Sequence, residues 1–415
     1  MAKNSMKPQI RFKGFTDAWE QRKLGEIFER IVRKNTNNES SLPLTISAQD
    51  GLVDQITYFN NRVASRDVSN YYLVLNGEFA YNKSTSDGYP FGAVKRLDLY
   101  EKGVLSTLYI VFALSDLSKT DSDYIAVFFD TDRWHRGVAE RAAEGARNHG
   151  LLNISANDFF DISISLPCNL VEQQKIGIAL KRLDNLITLH QRKYEKFVNI
   201  KKALLEKMFP QGDEKVPRIR FKGFTDAWEQ RKLGDLGKAQ SGIGFPDKEQ
   251  GGKTGIPFFK VSDMNNVGNE LEMNRSNNYV SPDQIKKNGW SPIEETSVIF
   301  AKVGAAIMLN RKRLVRFPFL VDNNTMAYKF SDSWDIEFGR TLFERIDLTS
   351  LVQVGALPSY NAGDVENMEV AIPQRAEQYK LGALFKSLDN LITLHQRQVE
   401  KLKNIKSALL EKMFV

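Results

Sequence analysis

The sequence has little cysteine and histidine and no long apolar run. Cys168 is the single cysteine among 415 residues, so neither a disulfide framework nor a thiolate metal site can be built. The four histidines lack metal-ligand spacing such as HExxH. No apolar stretch approaches the roughly 18 residues that cross a bilayer, and the N-terminus lacks the apolar core of a signal peptide. We therefore expect a soluble, cytoplasmic protein with no membrane partner.

Short motifs that carry catalysis are also missing. The segment GGKTG resembles a phosphate-binding loop, but Asp247 stands where such a loop requires its first glycine. Neither the NPP-aromatic nor the DPP-aromatic tetrapeptide of amino-methyltransferases is found. Neither Pro246-Asp247 nor Pro282-Asp283 is followed by the acid-x-Lys of a nuclease metal site. The sequence thus favours a binding and positioning protein, not an enzyme, with no metal or cofactor in this chain.

The composition instead shows an excess of positive charge and enough apolar residues for sizeable cores. Lysine and arginine number 58 against 51 acidic residues, which gives a net charge of +7. The hydrophobic fraction of 42% is that of a globular protein. A basic chain of this kind favours a polyanionic partner such as nucleic acid.

The sequence contains an internal repeat. IRFKGFTDAWEQRKLG occurs at Ile10–Gly25 and again, unchanged, at Ile219–Gly234, and LDNLITLHQR occurs at Leu183–Arg192 and Leu388–Arg397. Each repeat therefore has a head, a middle and a tail that ends in LLEKMF. The middles, at about residues 49–166 and 255–372, share little sequence. Matching ends and unlike middles suggest that the ends do one job twice, while each middle does its own.

The middles and tails differ in their periodicity. Aromatic and β-branched runs predict strands at Tyr71–Tyr81, Leu105–Leu114, Ile256–Val261 and Ser297–Lys302, and Ser281 is a candidate N-cap of a short helix. We therefore expect a first mixed α/β domain at residues 1–167, a long helix at 168–210, a linker at 211–216, a second mixed domain at 217–373 and a second long helix at 374–415.

Each tail has apolar residues at the alternating three- and four-residue spacing of helices that pack along their length. The predicted seam comprises Leu183, Ile187, His190, Tyr194, Phe197 and Leu204 in the first tail, and Leu388, Ile392, His395, Val399, Leu402 and Leu409 in the second. The two histidines could form a polar layer that sets the register, or could simply pack. This pattern leaves open whether the two helices run parallel or antiparallel.

This layout resembles the specificity subunit of type I restriction-modification systems over essentially the whole chain. The resemblance is carried by WEQRKLG at the end of each head, by GIPFFKVSDM and SYNAGDVENMEVAIP in the second middle, and by LDNLI and LLEKMF in the tails. It implies an α+β fold in which two target-recognition domains are separated by an antiparallel coiled coil, with pseudo-twofold symmetry. The first repeat lacks a clear counterpart of GIPFFKVSDM, so its contact loops are less defined.

The resemblance also implies a function. Each domain would read one half of a bipartite, asymmetric site in double-stranded DNA, and the coiled coil would set the spacing of the halves. The scaffold would hold two modification methyltransferase subunits and, through them, two restriction subunits. S-adenosylmethionine, ATP and Mg²⁺ are expected on those partners.

By analogy with that family, polar loop residues of each domain are expected to contact DNA, although such residues could equally be solvated turn formers. They are Asn82, Lys83, Ser84, Arg147, Asn148 and His149 in the first domain, and Lys260, Ser262, Asp263, Lys302, Ser359, Tyr360 and Asn361 in the second.

Two other functions stay open. The chain could be an adaptor whose coiled coil joins two protein-binding modules without DNA. One of the middles could instead hold an unrecognised active site. DNA binding would weaken steeply with salt because counterions are released, whereas an adaptor complex would not, and an enzyme would show turnover by the purified chain alone.

Overall fold

The computed structural model describes residues 7–47, 50–86, 88–142, 150–212, 214–352 and 358–415. By its internal contacts the chain divides into two units. The first comprises residues 1–191 and 397–415, and the second comprises residues 192–396. Each unit therefore takes its head and middle from one repeat and the end of its tail from the other. No helix in the described ranges combines the length and apolar composition that a bilayer crossing requires.

The first unit mixes strands and helices. Its strands are Glu20–Lys23 (β1), Phe28–Ile31 (β2), Leu44–Ser47 (β3), Gly51–Asp54 (β4), Tyr72–Leu75 (β5), Phe79–Asn82 (β6), Ala93–Arg96 (β7), Lys102–Leu105 (β8), Ile110–Leu114 (β9) and Ser163–Leu166 (β10). Its helices are Leu24–Ile27 (α1), Gln55–Phe59 (α2), Ser122–Phe128 (α3), His135–Arg141 (α4), Ala156–Phe160 (α5) and the first part of Leu170–Lys207 (α6).

An antiparallel sheet of order β2-β9-β6-β7 forms the centre of this unit. The strand predicted at Tyr71–Tyr81 is in fact two strands, because Gly77 adopts a φ of +86° and turns the chain between them. β5 then pairs with β8, while β6 pairs with β7 and β9. The strand predicted at Leu105–Leu114 is also divided. Leu105 is the last residue of β8, and the continuous strand in this run is β9.

The second unit has a related but distinct architecture. Its strands are Glu229–Lys232 (β11), Gly237–Ser241 (β12), Ile256–Phe259 (β13), Tyr279–Val280 (β14), Ser297–Ala301 (β15), Lys312–Val315 (β16), Leu320–Val321 (β17), Thr325–Phe330 (β18) and Glu369–Ile372 (β19). Its helices are Leu233–Leu236 (α7), Pro282–Asn288 (α8), Ile336–Arg345 (α9), Ala362–Glu366 (α10) and the first part of Arg375–Met413 (α11). Short 3₁₀ turns occupy Asp247–Glu249, Val261–Asn265, Ala305–Leu309 and Leu348–Leu351.

Its main sheet has the order β12-β18-β15-β16, and β13 pairs with both β14 and β17 in a second sheet. The strands predicted at Ile256–Val261 and Ser297–Lys302 are confirmed as β13 and β15. The helix predicted after Ser281 is confirmed as α8. The Ser281 hydroxyl accepts from the Gln284 amide at 3.2 Å, and Pro282 occupies the first turn.

The two long helices pair in antiparallel fashion, a direction that the periodicity left open. In the second unit the ring of Phe197 stacks on His395 at 5.7 Å, and Lys201 Nζ lies 2.7 Å from a carboxylate oxygen of Asp389. Residue numbers thus rise along one helix as they fall along the other. All twelve residues predicted for the seam are buried or half-buried.

Each tail end completes the core of a domain whose head comes from the other repeat. In the first unit the ring of Phe414 packs edge-on against Trp19 at 6.2 Å. In the second, Phe209 packs in the same way against Trp228 at 5.6 Å. Both tryptophans are 2% exposed, so they belong to the cores.

The repeated heads are tied to the repeated tails by matching buried ion pairs. Arg11 contacts both carboxylate oxygens of Glu172, at 2.5 and 2.8 Å, and Arg220 contacts both of Glu377, at 2.7 Å each. The two glutamates are at most 1% exposed. Identical heads therefore bind identical tail positions, which is why the two frames match although the middles do not.

A glycine in each tail lets a neighbouring helix begin directly against it. A Cβ at Gly382 would lie 2.4 Å from Asp335 Oδ1 and 2.7 Å from the Phe338 amide nitrogen, at the N-cap of α9. Gly177 meets the N-terminus of α3 in the same way, with a Cβ 2.6 Å from the Tyr124 amide nitrogen. These positions accept no side chain without a shift of backbone.

We expect Gly382→Ala to destabilise the protein by about 1–2 kcal/mol. Overpacking against backbone costs about 1–3 kcal/mol, and alanine's better helix propensity returns up to about 1 kcal/mol of that. Urea unfolding of the full chain measures the change. Ser387→Ala, at an exposed position of α11, is the control and should be neutral or slightly stabilising. A Gly382→Ala chain as stable as the control would contradict the close approach.

Candidate nucleic-acid interface

In the first unit, the loop that follows β6 is bound to a distant segment of the same domain. The Thr85 amide donates to the Gly150 carbonyl at 2.7 Å, and the Leu152 amide donates to the Lys83 carbonyl at 2.9 Å. Asn82 closes the turn, since its side-chain oxygen accepts from the Ser84 amide at 3.0 Å. The backbone of this loop is therefore held from both sides.

The second unit builds the same pairing after β15. The Gly304 amide donates to the Pro358 carbonyl at 2.8 Å, and the Tyr360 amide donates to the Lys302 carbonyl at 3.3 Å. The Tyr360 hydroxyl also donates to the Ala301 carbonyl. That tyrosine is 5% exposed, and burial raises the pKa of its hydroxyl.

The two loop pairs have the same pattern of backbone hydrogen bonds, in which Lys83 and Lys302 occupy equivalent positions. Each lysine carbonyl accepts from the second segment, and the amide two residues further on donates back to it. Both side chains are half-buried, and neither forms an ion pair within the described part of the chain. Each unit therefore has, at this position, a lysine without an ion pair in the described part of the chain, while the residues around the lysine differ between the units.

A further loop of the second unit, after β13, lies close to Lys302. Ser262 is exposed, and Lys260 is half-buried with its Nζ 3.2 Å from Gln250 Oε1. Asp263 is fully buried, and its carboxylate accepts from the backbone amides of Lys260 at 2.8 Å and Asn277 at 2.9 Å. Asp263 therefore braces the loop from within.

The turn between β17 and β18 connects these loops, and sequence reasoning did not single it out. The Asp322 amide donates to the Phe259 carbonyl at 3.0 Å, and the Lys302 amide donates to the Asn324 carbonyl at 2.9 Å. A Cβ at Gly242 would lie 1.9 Å from the Asp322 carbonyl oxygen, so only glycine fits there. The turn therefore holds the loops of Lys260 and Lys302 at one edge of the second unit.

The predicted contact residues fall into three groups. Exposed or half-buried loop residues are Asn82, Lys83, Ser84, Lys260, Ser262, Lys302, Ser359 and Asn361. Asp263 and Tyr360 are buried and hold backbone, as described above. Arg147, Asn148 and His149 lie outside the described residues, although they directly precede Gly150 in the sequence.

Asn361 has a structural part as well. Its side-chain oxygen accepts from the Asp364 amide at 3.1 Å, and the Asp364 carboxylate accepts from the Asn361 amide at 2.8 Å, which caps α10. The described ranges contain no group of three or more His, Cys, Asp or Glu side chains able to hold a metal ion.

Comparison with known proteins connects this architecture to one family. Residues 225–404 match the family model of the type I restriction modification DNA specificity domain. The chain is 28% identical over 254 residues to the type I restriction enzyme MjaIX specificity subunit of Methanocaldococcus jannaschii, covering 58% of this chain and 57% of that protein. It is 22% identical over 273 residues to the MjaVIII specificity subunit of the same organism, covering 63% of each. The matches thus span less than two thirds of either relative.

A solved structure extends the likeness to the full chain. The crystal structure of the type I restriction-modification system S subunit from M. genitalium aligns with a TM-score of 0.64 over 99% of both chains, at 13% identity, which shows a common fold. Residues 225–404 are thus similar to a type I restriction modification DNA specificity domain, and the chain as a whole shares the fold of the S subunit from M. genitalium.

Proposed function

We propose that this chain is the DNA-reading, non-catalytic subunit of a type I restriction-modification complex, and that each unit reads one half of a bipartite, asymmetric site. The observation that carries the proposal is the pair of equivalent loops. Lys83 and Lys302 stand at matching positions on matching frames, while the middles around them differ. Positively charged loops can bind the phosphates of two DNA segments in the same way, and unlike neighbours can read different bases.

The base-reading and phosphate-binding residues are proposed to come from the loop groups described above. Lys83, Lys260 and Lys302 would contact the backbone, and Asn82, Ser84, Ser262, Ser359 and Asn361 would lie beside the bases. Arg147, Asn148 and His149 remain proposed contacts of the first domain. Buried Asp263 and Tyr360 would act by holding the loops in position.

The repeated parts are proposed to serve the partners. Identical heads and similar tails offer nearly the same surface twice, and such a repeated frame can hold two copies of one protein. Those copies would be modification methyltransferase subunits, through which two restriction subunits join, and S-adenosylmethionine, ATP and Mg²⁺ would be bound by them. The long helices at residues 168–210 and 374–415 would set the spacing between the domains at 1–167 and 217–373.

Exchange of the second middle tests this proposal. We expect a chain whose residues 237–368, which end just before β19, are replaced by the corresponding segment of another specificity subunit to change one half of the methylated motif and to keep the other half. The readout is methylome sequencing of cells that express the chain with its methyltransferase. Exchange of residues 28–162 is the matched control and should alter the opposite half. A motif that changes in both halves, or that has only one part, would overturn the modular assignment.

A further inference from the structure

One cavity of the second unit is lined by an unusual density of cations. It measures about 240 Å³ and lies between the start of β16 and helix α9. Its charged lining consists of Arg311, Lys312, Arg313 and Arg340 together with the carboxylates of Glu270 and Glu344. None of these residues was singled out as a contact by the sequence patterns.

The positions of the first unit that correspond to Arg311, Lys312 and Arg313 carry one basic residue instead of three. In β6 and β7, Tyr81 pairs with Val94, and in β15 and β16 the equivalent Phe300 pairs with Lys312. Arg311, Lys312 and Arg313 therefore stand where the first unit has Ala93, Val94 and Lys95. The three adjacent residues Arg311, Lys312 and Arg313, here called the basic strip, therefore occur in the second middle and not at the equivalent positions of the first.

Lys95, the first-unit residue that corresponds to Arg313, is paired with an acidic side chain. Lys95 Nζ lies 2.7 Å from Asp130, which in turn lies 3.1 Å from Lys406 of the tail. Glu344 takes the place of Asp130 in the second unit, because it contacts the equivalent tail residue, Lys201, at 2.6 Å. The second unit therefore keeps an acidic residue here, but Glu344 forms its ion pair with Lys201 of the tail and not with Arg313.

Arg313 carries a charge that its surroundings satisfy poorly. Its Nη1 donates to the Lys312 carbonyl at 2.8 Å, while its Nε is buried without a hydrogen-bond partner in the described part of the chain. Burial lowers the pKa of Arg313, and repulsion by Arg311 lowers it further, against attraction by Glu270 and Glu344. Burial likewise lowers the pKa of Lys312 to about 8. An anion in the cavity would compensate the charge of Arg313. Its two neighbours already have partners, since Lys312 Nζ donates to Asn310 Oδ1 at 2.7 Å and to the Ile346 carbonyl, and Arg311 Nη1 donates to Asn265 Oδ1.

The position of the strip relates it to the candidate interface. Lys312 is paired with Phe300 near the end of β15, and Lys302 lies two residues beyond Phe300. Arg311 is therefore at the same end of the sheet as Lys302. A polyanion that contacts the Lys302 loop would need only to continue past the edge strand to reach the cavity.

We propose that this cavity binds a phosphate of the DNA backbone, held by Arg311 and Arg313, and so anchors the duplex on the second unit. The inference rests on the proposed function, since DNA must lie across the Lys302 loop. Because a phosphate carries no base identity, this anchor fixes position and adds affinity for any sequence. Arginine suits the task, since its planar guanidinium can bind phosphate oxygens in pairs.

The test is duplex binding by the full chain as a function of salt. A fluorescent random-sequence duplex is titrated at a series of KCl concentrations, and the logarithm of the association constant is plotted against that of the salt. We expect Arg313→Gln and Arg311→Gln each to weaken binding and to reduce the slope by about one, the contribution of one neutralised phosphate. Arg313→Lys should retain the slope, because its charge is kept.

The controls separate the possible outcomes. Lys286→Gln removes the same charge from an exposed position of α8 and should leave the slope unchanged. Thermal unfolding of each variant shows whether the second unit is intact, and retention by Arg313→Lys excludes a loss through misfolding. A wild-type chain without salt-dependent duplex binding would overturn the proposed function. Wild-type binding that both Gln variants reproduce, or a Lys286→Gln slope reduced as much as theirs, would overturn this inference alone.

Discussion

Replacement of Phe414 by alanine is expected to destabilise the first unit by about 3–5 kcal/mol, the cost of a buried phenylalanine. Its ring is 3% exposed and packs on Trp19, Tyr124 and Phe128 at 5.6–6.2 Å. A loss of that size is a large fraction of the stability of an ordinary domain. Hydrogen–deuterium exchange of the full chain should therefore rise throughout residues 7–142.

Phe209→Ala is the matched control for this experiment. Phe209 stands at the equivalent position of the first tail and packs on Trp228, Phe338 and Phe385 at 5.6–5.8 Å in the second unit. We expect faster exchange in the second unit for Phe209→Ala and in the first for Phe414→Ala. Faster exchange confined to the last turn of α11 in the Phe414 variant would show that the tail end is not part of that core.

Asp389→Ala should be the second large effect, because it removes the buried carboxylate that two buried cations share. The carboxylate of Asp389 is 4% exposed and lies 2.7 Å from Lys201 Nζ and 2.5 Å from Arg340 Nη2. Removal of one member of a buried ion pair costs about 3–5 kcal/mol. We expect the lower end of this range, because Lys201 keeps Glu344 at 2.6 Å and Arg340 keeps Glu337 at 3.4 Å. The fall in the urea unfolding midpoint of the full chain measures this loss.

The other repeat supplies the comparison variant. Asp184 pairs with Lys406 at 2.7 Å in the first unit, but its side chain is 41% exposed, whereas that of Asp389 is 5% exposed. Each lysine keeps a second acidic partner, Asp130 for Lys406 and Glu344 for Lys201. Burial opposes the charge on Lys406, yet Asp130 and Asp184 hold its pKa above the ordinary lysine value. We expect Asp184→Ala to cost about 1 kcal/mol or less. Equal losses for the two variants would mean that burial does not decide the strength of these pairs.

These charged pairs also show a limit of the sequence patterns. The heptad spacing drew attention to His190 and His395 as polar residues of the seam, while the Lys–Asp pairs went unnoticed. The available signal was that LDNLI and the NIK of each tail occur twice. A repeated Asp and a repeated Lys near an apolar seam are candidates for an ion pair between the helices. Only an antiparallel arrangement brings the Asp of one tail to the Lys of the other.

The sequence likewise predicted only part of the candidate interface. Lys83 and Lys302 were both proposed from the sequence, but their equivalence follows from hydrogen bonds to segments more than fifty residues away. The burial of Asp263 and Tyr360 also depends on such contacts, because a polar residue on a loop looks the same in sequence whether it braces backbone or faces solvent. The Arg311–Arg313 strip was overlooked because three basic residues in a strand carry no local sign of what they line.

The sequence by itself determined the doubled design: two identical heads, two long helical tails with an apolar seam, and two unlike middles of mixed strand and helix. Repeats and periodicity are local properties, so they can be recognised without coordinates. The tertiary structure showed that the tails run antiparallel, which the periodicity left open and the family resemblance implied. It alone decided that each tail ends in a core headed by the other repeat and which polar residues are buried. Those outcomes depend on side chains far apart in the chain that meet only after folding.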